Sequence, residues 1–129
     1  MAYSTIPKGS LYMNTKLYTG NGSTNAITGV GFQPDWVWVK NRDIGTDAPT
    51  IYDAVRGVTK RLQTSSTGAE STKTNGLTAF NSDGYTAGSA SAINANGSNI
   101  VSWNWKANGA GSSNTDGSVT ATVSANQTS

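Results

Sequence analysis

Residues 35–40 (DWVWVK) and residues 100–106 (IVSWNWK) decide the fold, because each segment places two tryptophans two positions apart. In a β-strand, side chains at positions i and i+2 point to the same face, whereas a helix separates them. The surrounding residues are β-branched or aromatic, which are the types that strands favour. The sequence therefore predicts two aromatic strands that are far apart in the chain and share one core.

The four indole rings have two interpretations. Core packing is the default, because aromatic side chains bury large apolar areas, and both faces of the first strand are apolar, as in a strand that is covered on both sides. The alternative is a sugar-stacking platform, which needs at least one exposed ring in a groove. The rings concerned are Trp36, Trp38, Trp103 and Trp105. Trp38 and Trp103 are expected to be largely buried among Phe32, Val37, Val39, Phe80 and Val101.

Short strand-like segments alternate with turn signals along the rest of the chain. Residues 81–84 (NSDG) favour a tight turn, and the Asn96-Gly97 pair predicts a hairpin that leads from residues 93–94 into the second tryptophan strand. No window combines a period of 3.6 residues with good helix formers. We therefore predict an all-β protein, an antiparallel β-sandwich of about seven to nine short strands with no helix longer than about two turns.

The composition excludes much catalytic chemistry. The chain has no histidine and no cysteine, so it lacks a Ser-His or Cys-His nucleophile, an imidazole or thiolate metal site and a disulfide. A carboxylate-only glycosidase would need two acids about 5–9.5 Å apart in a cleft, and no motif pairs the acids of this sequence. Asp83 and Asp116 each stand in an Asn-x-Asp-Gly turn that offers one acid, which is too few for calcium. We expect a non-enzymatic protein with no cofactor and no metal.

Charge and hydropathy restrict the partners. The net charge of +2 is small, and the nearest basic patch (Arg56, Lys60 and Arg61) is typical of a solvated surface, so we expect no nucleic-acid binding. No apolar run approaches the ~20 residues of a membrane span, which argues against membrane insertion. The N-terminus lacks the layout of a signal peptide. We expect synthesis in the cytoplasm, with any extracellular role reached by release.

Three regions are predicted from composition. Residues 1–10 form a flexible N-terminal arm, residues 11–106 form the β-sandwich domain, and residues 107–129 form a Gly/Ser-rich linker with a terminal strand at 118–123. An unpaired strand adds to a sheet edge, so the terminal strand is expected to pair either elsewhere in this domain or on a neighbouring chain. We expect both arms to make contacts with neighbouring subunits or with other proteins. The docking residues are predicted to be Tyr3, Ile6, Val119 and Val123.

Several segments, in one order, resemble a family of virion structural proteins from marine bacteriophages, including phages of cyanobacteria. The segments are residues 20–22 (GNG), 28–42 (TGVGFQPDWVWVKNR), 52–57 (YDAVRG), 77–85 (LTAFNSDGY), 101–106 (VSWNWK) and 114–119 (NTDGSV). The resemblance covers about residues 17–126, and the segment at residues 29–42 (GVGFQPDWVWVKNR) is its most specific part.

The resemblance implies a tail-fibre-like or capsid-decorating module with a lectin-like jelly-roll fold, located in the virion. Such a module acts as a homo-oligomer, by our expectation a trimer, and docks on other virion proteins. The alternative hypothesis is a glycan-binding, lectin-like module that recognises a glycan of the host surface through an exposed aromatic ring.

Overall fold

The computed structural model describes residues 8–126, which form an antiparallel all-β fold. Within this range the helices are a 3-10 turn at Gly9–Leu11 and the four-residue α1 at Ser91–Asn94. Neither has the length or apolar character needed to cross a bilayer. The strands are β1 Met13–Thr19, β2 Asn25–Ile27, β3 Trp36–Asn41, β4 Thr50–Asp53, β5 Lys60–Gln63, β6 Ser71–Thr72, β7 Leu77–Asn81, β8 Gly84–Ala87, β9 Asn99–Trp105, β10 Ser112–Asn114 and β11 Ala121–Val123.

The strands form three sheets. A six-stranded sheet has the order β1-β9-β3-β4-β5-β6, a three-stranded sheet has the order β2-β8-β7, and β10 pairs with β11. The two tryptophan strands, β3 and β9, are neighbours in the large sheet, with Trp36 opposite Trp105 and Trp38 opposite Trp103. The predicted all-β antiparallel class is confirmed, whereas the sandwich, jelly-roll and lectin-like descriptions stay predictions.

The core lies between the inner face of the large sheet, the three-stranded sheet and α1. Val37 and Val39 of β3 are fully buried on this face, as expected. Their partners come from each of the other layers, so one cluster joins elements that are distant in the chain. The remaining buried members are Ile27, Tyr52, Leu77, Tyr85, Ala87, Ala90, Ile93 and Ile100.

The tryptophans lie on the opposite face from this core, which corrects the expectation that they form it. Because side chains alternate along a strand, Trp36 and Trp38 point away from the face that carries Val37 and Val39, and both indoles are half-buried. Trp103 and Trp105 do the same on β9. Of the neighbours predicted for the rings, Val101 shares their face, directly opposite Lys40, whereas Val37, Val39 and Phe80 belong to the core on the other side.

Three elements differ from the sequence-based expectations, and the described residues contain eleven strands rather than seven to nine. The short strand β6 lies in a stretch for which the sequence predicts no strand, and the predicted linker contains β10. Ile93 and Asn94 belong to α1 rather than to a hairpin strand, because both side chains are buried in the interior. The Asn96-Gly97 turn itself is present, with Gly97 at a positive φ of 76°.

The tail pairs with itself. The predicted strand 118–123 is shortened to β11, which pairs with β10 of the same chain. Val123 lies opposite Ser112, and Ala121 lies opposite Asn114. Val119 is 75% exposed and precedes this hairpin strand, while Val123 is exposed within it. The terminal strand therefore has a local partner. Tyr3 and Ile6 lie outside the described residues.

A carboxylate joins the turn between β7 and β8 to the loop that follows β2. Asp83 accepts hydrogen bonds from the backbone N–H groups of Gly29 (2.9 Å) and Gly31 (2.6 Å). Both glycines have positive φ, 76° and 90°, a conformation that costs glycine little. The Gly31 and Gly29 hydrogen bonds, together with the charge of Lys16, lower the pKa of Asp83 from its usual 3.8.

We expect Asp83 to contribute acid-sensitive stability. Because its pKa is lower in the folded state, the contribution is complete above the unfolded pKa and is lost as the pH falls through the folded pKa. Thermal unfolding from pH 7 to pH 2 should show a steeper loss of melting temperature in the wild type than in Asp83→Asn. Asp116→Asn is the matched control, since Asp116 stands in the same Asn-x-Asp-Gly sequence and, within residues 8–126, accepts only from the side chain of Asn114 and not from a backbone loop. Equal acid slopes in wild type and Asp83→Asn would contradict this role.

Candidate functional site

The outer face of the large sheet gathers the aromatic side chains that the sequence singles out. Residues directly opposite each other in a ladder share a face, so the strand register assigns every member. We call this surface the tryptophan face. On β1, β9, β3, β4 and β5 its members are Met13, Thr15, Leu17, Thr19, Trp36, Trp38, Lys40, Ile51, Asp53, Lys60, Leu62, Asn99, Val101, Trp103 and Trp105.

The four indole rings form one contiguous cluster. Trp36 meets Trp105 with ring centroids 4.5 Å apart and planes at 71°. Trp38 meets Trp103 at 5.1 Å and 41°, and Trp36 lies 6.5 Å from Trp38 at 59°. Tilted and edge-to-face pairs at these distances are favourable arrangements of aromatic rings. The rings therefore contact one another through tilted or edge-to-face packing, and the two rings of each pair are not coplanar.

The centre of the tryptophan face is apolar and partly open. All four indoles are half-buried, and Leu17, on the β1 side, is 61% exposed. Leu62 marks the β5 side and is also exposed. The Nε1–H of Trp38 is buried and has no hydrogen-bond partner among residues 8–126. Contiguous exposed apolar surface on a sheet is typical of an interaction site.

Polar groups surround this centre. On β3, the ammonium of Lys40 donates to the carbonyl of Asp47 at 2.8 Å. On β4, the carboxylate of Asp53 forms an ion pair with Arg56 at 2.5 Å, and Arg56 also approaches Glu70 at 3.5 Å. An apolar centre with a polar rim is the anatomy of a protein–protein interface.

The acids of the chain are engaged in the fold. Each of the seven accepts a hydrogen bond or forms an ion pair that holds a loop or a turn. Asp43, for example, accepts from the backbone N–H and from the side chain of Asn99. Asp47 accepts from the hydroxyl of Ser91. No group of three acids in residues 8–126 is placed to hold a metal ion. The remaining acids are Asp35, Asp53, Glu70, Asp83 and Asp116.

Within residues 8–126, the residues that the sequence predicts as functional lie in two separate places in the structure. The four tryptophans are brought together, whereas Val119 and Val123 lie in the tail. Leu17 and Leu62 are functional candidates that sequence reasoning missed. Strand alternation predicts that Leu17 shares a face with Met13 and Thr15. Only the pairing of β1 with β9 shows that this face also carries the indole rings.

A family model described as a domain of unknown function (DUF7483) matches residues 8–129. The chain therefore belongs to this family. No curated protein and no solved structure matches the chain.

Proposed function

We propose that the protein is a non-enzymatic structural module of a phage virion, tail-fibre-like or capsid-decorating, that associates with further copies of itself and docks on other virion proteins. The observation that carries the assembly role is the tryptophan face, an apolar sheet surface that the described residues leave partly open. The virion setting rests on the resemblance of residues 28–42 and the segments that follow them. The engagement of every acid in loops and turns supports a role other than catalysis.

A protein surface fits the tryptophan face better than a flat sugar chain does. Tryptophan is among the residues that contribute most binding energy at protein interfaces, where such rings sit in a desolvated centre inside a polar rim. The rings are tilted by 41° to 71° against one another, so a partner must interdigitate with them rather than lie flat.

A second copy of this chain is the partner that we propose for the tryptophan face. Five adjacent strands, about 4.8 Å apart and about six residues long, give a patch of roughly 480 Å². A stable interface buries about 800 Å² per partner, so the face supplies more than half. We propose that contacts outside residues 11–106, such as the exposed Val119 of the tail, supply the remainder. The resemblance to fibre-like proteins suggests a trimer.

We expect Leu17→Glu to abolish self-association. Leu17 is 61% exposed in the single chain, so the substitution leaves the fold intact, whereas it buries an unpaired charge in the assembled interface. Light scattering with size-exclusion chromatography should show an oligomer for the wild type and a monomer for the variant. Val58→Glu is the matched control, since Val58 is 40% exposed in the loop between β4 and β5, and it should assemble like the wild type.

Two results would contradict the proposal: a monomeric wild type at the high local concentration of a virion, or an unchanged oligomer in Leu17→Glu. Acrylamide quenching of tryptophan fluorescence gives an independent readout. The indoles are half-buried in the single chain, so quenching should be appreciable at low protein concentration and should decrease as the protein associates.

The partial exposure of the indole rings is also compatible with the alternative function, glycan binding, in which an indole stacks on a sugar of the host surface. This function predicts that added sugar, rather than added protein, protects the rings from acrylamide. The absence of coplanar faces in the ring pairs of residues 36–38 and 103–105 favours assembly.

A further inference from the structure

A cleft lies at the end of the large sheet where β1 begins and β9 ends. There the tail hairpin folds back and encloses a cleft of about 660 Å³, a size that is usual for small-ligand sites. The side chains that matter for its chemistry are Tyr12, Lys106, Asn108, Ser112, Asn114 and Val123. The cleft is distinct from the tryptophan face, which covers the outer side of the sheet.

Hydrogen bonds hold the walls of the cleft in place. The N–H of Lys106 donates to the carbonyl of Tyr12 at 2.8 Å, which joins the two strand ends. The next residue of the chain, Ala107, donates to the carboxylate of the buried Asp35 at 2.8 Å. Asn108 N–H donates to Ser124 Oγ at 2.7 Å, which attaches the far side of the hairpin. The cleft is therefore preformed, which lowers the entropy cost of binding.

Several polar groups in the cleft are free to bind a ligand. Within residues 8–126, the phenol of Tyr12, the ammonium of Lys106, the amide of Asn108 and the hydroxyl of Ser112 have no hydrogen-bond partner, whereas the Asn114 amide donates to Asp116 at 3.3 Å. An amide and two hydroxyls both donate and accept, and an ammonium only donates. Tyrosine adds an amphipathic ring face.

This combination selects among ligand classes. The one larger apolar side chain of the lining is Val123, so the cleft offers no hydrophobic pocket of the kind that peptide recognition uses for side chains. Neutral groups that both donate and accept suit the hydroxyls of a sugar. The single cation, Lys106, suits one carboxylate through a charge-assisted hydrogen bond.

We propose that this cleft binds an acidic saccharide, with a sugar ring against Tyr12, its hydroxyls on Asn108 and Ser112, and its carboxylate on Lys106. The site lies on a single chain, so it works in the monomer and in an oligomer alike. It gives the protein a recognition function beyond assembly.

The test uses the full chain labelled with ¹⁵N and titrated with three acidic probes: glucuronic acid, trigalacturonic acid and sialyllactose. Each probe is paired with its neutral counterpart: glucose, galactotriose and lactose. At least one acidic probe should give saturable amide shifts confined to Tyr12 and residues 106–126, and should bind more tightly than its neutral counterpart. Lys106→Gln should weaken the binding of that probe about tenfold, or about 1.4 kcal/mol, and remove the preference. Lys73→Gln, in the loop between β6 and β7, should change nothing.

The assembly proposal and the saccharide site can fail separately, because Leu17→Glu should bind the acidic probe like the wild type. Tyr12→Leu should weaken acidic and neutral sugars alike, since the ring contact does not depend on charge. The saccharide site is overturned if all three acidic probes leave the spectrum unchanged. It is also overturned if the shifts map to the tryptophan face or if Lys106→Gln binds as tightly as the wild type.

Discussion

Asn94→Ala is expected to lower the free energy of unfolding by about 3–4 kcal/mol, because the substitution orphans buried polar groups and leaves a cavity. Asn94 is fully buried in α1. Its amide nitrogen shares two protons among Asn21 Oδ1 (3.0 Å) and the carbonyls of Ser23 (2.5 Å) and Gly88 (2.8 Å). Its oxygen accepts from the Asn21 N–H (3.0 Å) and the Asn25 amide (3.1 Å). One side chain thus joins α1 to two separate loops.

Urea denaturation of Asn94→Ala and of the matched control Asn96→Ala measures this contribution. Asn96 is exposed two residues further along, and its replacement should stay within about 0.5 kcal/mol of the wild type. Asn94→Asp keeps the shape of the side chain but removes the donors and places a carboxyl among carbonyl oxygens, so it should be at least as destabilising as the alanine variant. Equal midpoints for the Asn94 and Asn96 variants would show that the hydrogen bonds of Asn94 add no net stability.

Leu77→Ala should cost about 2–5 kcal/mol, whereas Leu17→Ala should cost less than about 0.5 kcal/mol in the monomer. The two substitutions remove the same atoms from opposite environments. Leu77, at the start of β7, is fully buried in the core, and Leu17 is 61% exposed on the tryptophan face. The comparison should be made by chemical denaturation at a dilution that keeps the protein monomeric. A large effect of Leu17→Ala at that dilution would mean that other parts of the chain cover this face.

The same pair of leucines reports on assembly when the protein concentration is raised. Binding to the native state alone stabilises it by mass action, so an oligomer that buries the tryptophan face should make Leu17→Ala destabilising at high concentration only. The Leu77→Ala cost should not depend on concentration to the same degree, because Leu77 is buried within one chain.

Local residue patterns located the two tryptophan strands correctly. The segment 35–40 predicts a strand that lies at Trp36–Asn41, and the segment 100–106 predicts one that lies at Asn99–Trp105. Alternating β-branched and aromatic side chains, bounded by glycine and asparagine, act through the backbone of each segment itself. They are therefore readable from neighbouring residues.

The sequence of neighbouring residues did not predict the short elements α1 and β6. α1 has four residues and no side-chain cap, and β6 has two residues. Isolated helices of this length are unstable in water, and their backbone conformation comes from contacts elsewhere. Ile93 enters the core of the sheets, and Arg61 on β5 pairs with Ser71 on β6. The predicted 118–123 strand was shortened for the same reason, because β10 sets its register.

The sequence by itself determined that this is an all-β protein and that each tryptophan pair lies on one face of a strand, since both follow from the period of two in an extended backbone. Only the tertiary structure decided which way those faces point. Strand alternation gives β3 two apolar faces, Trp36 with Trp38 and Val37 with Val39. The choice between them depends on where the three-stranded sheet and α1 pack, and these elements cover the valines. This placement leaves four indoles and Leu17 on the outer face of the sheet, because one packed layer can cover only one side of a sheet.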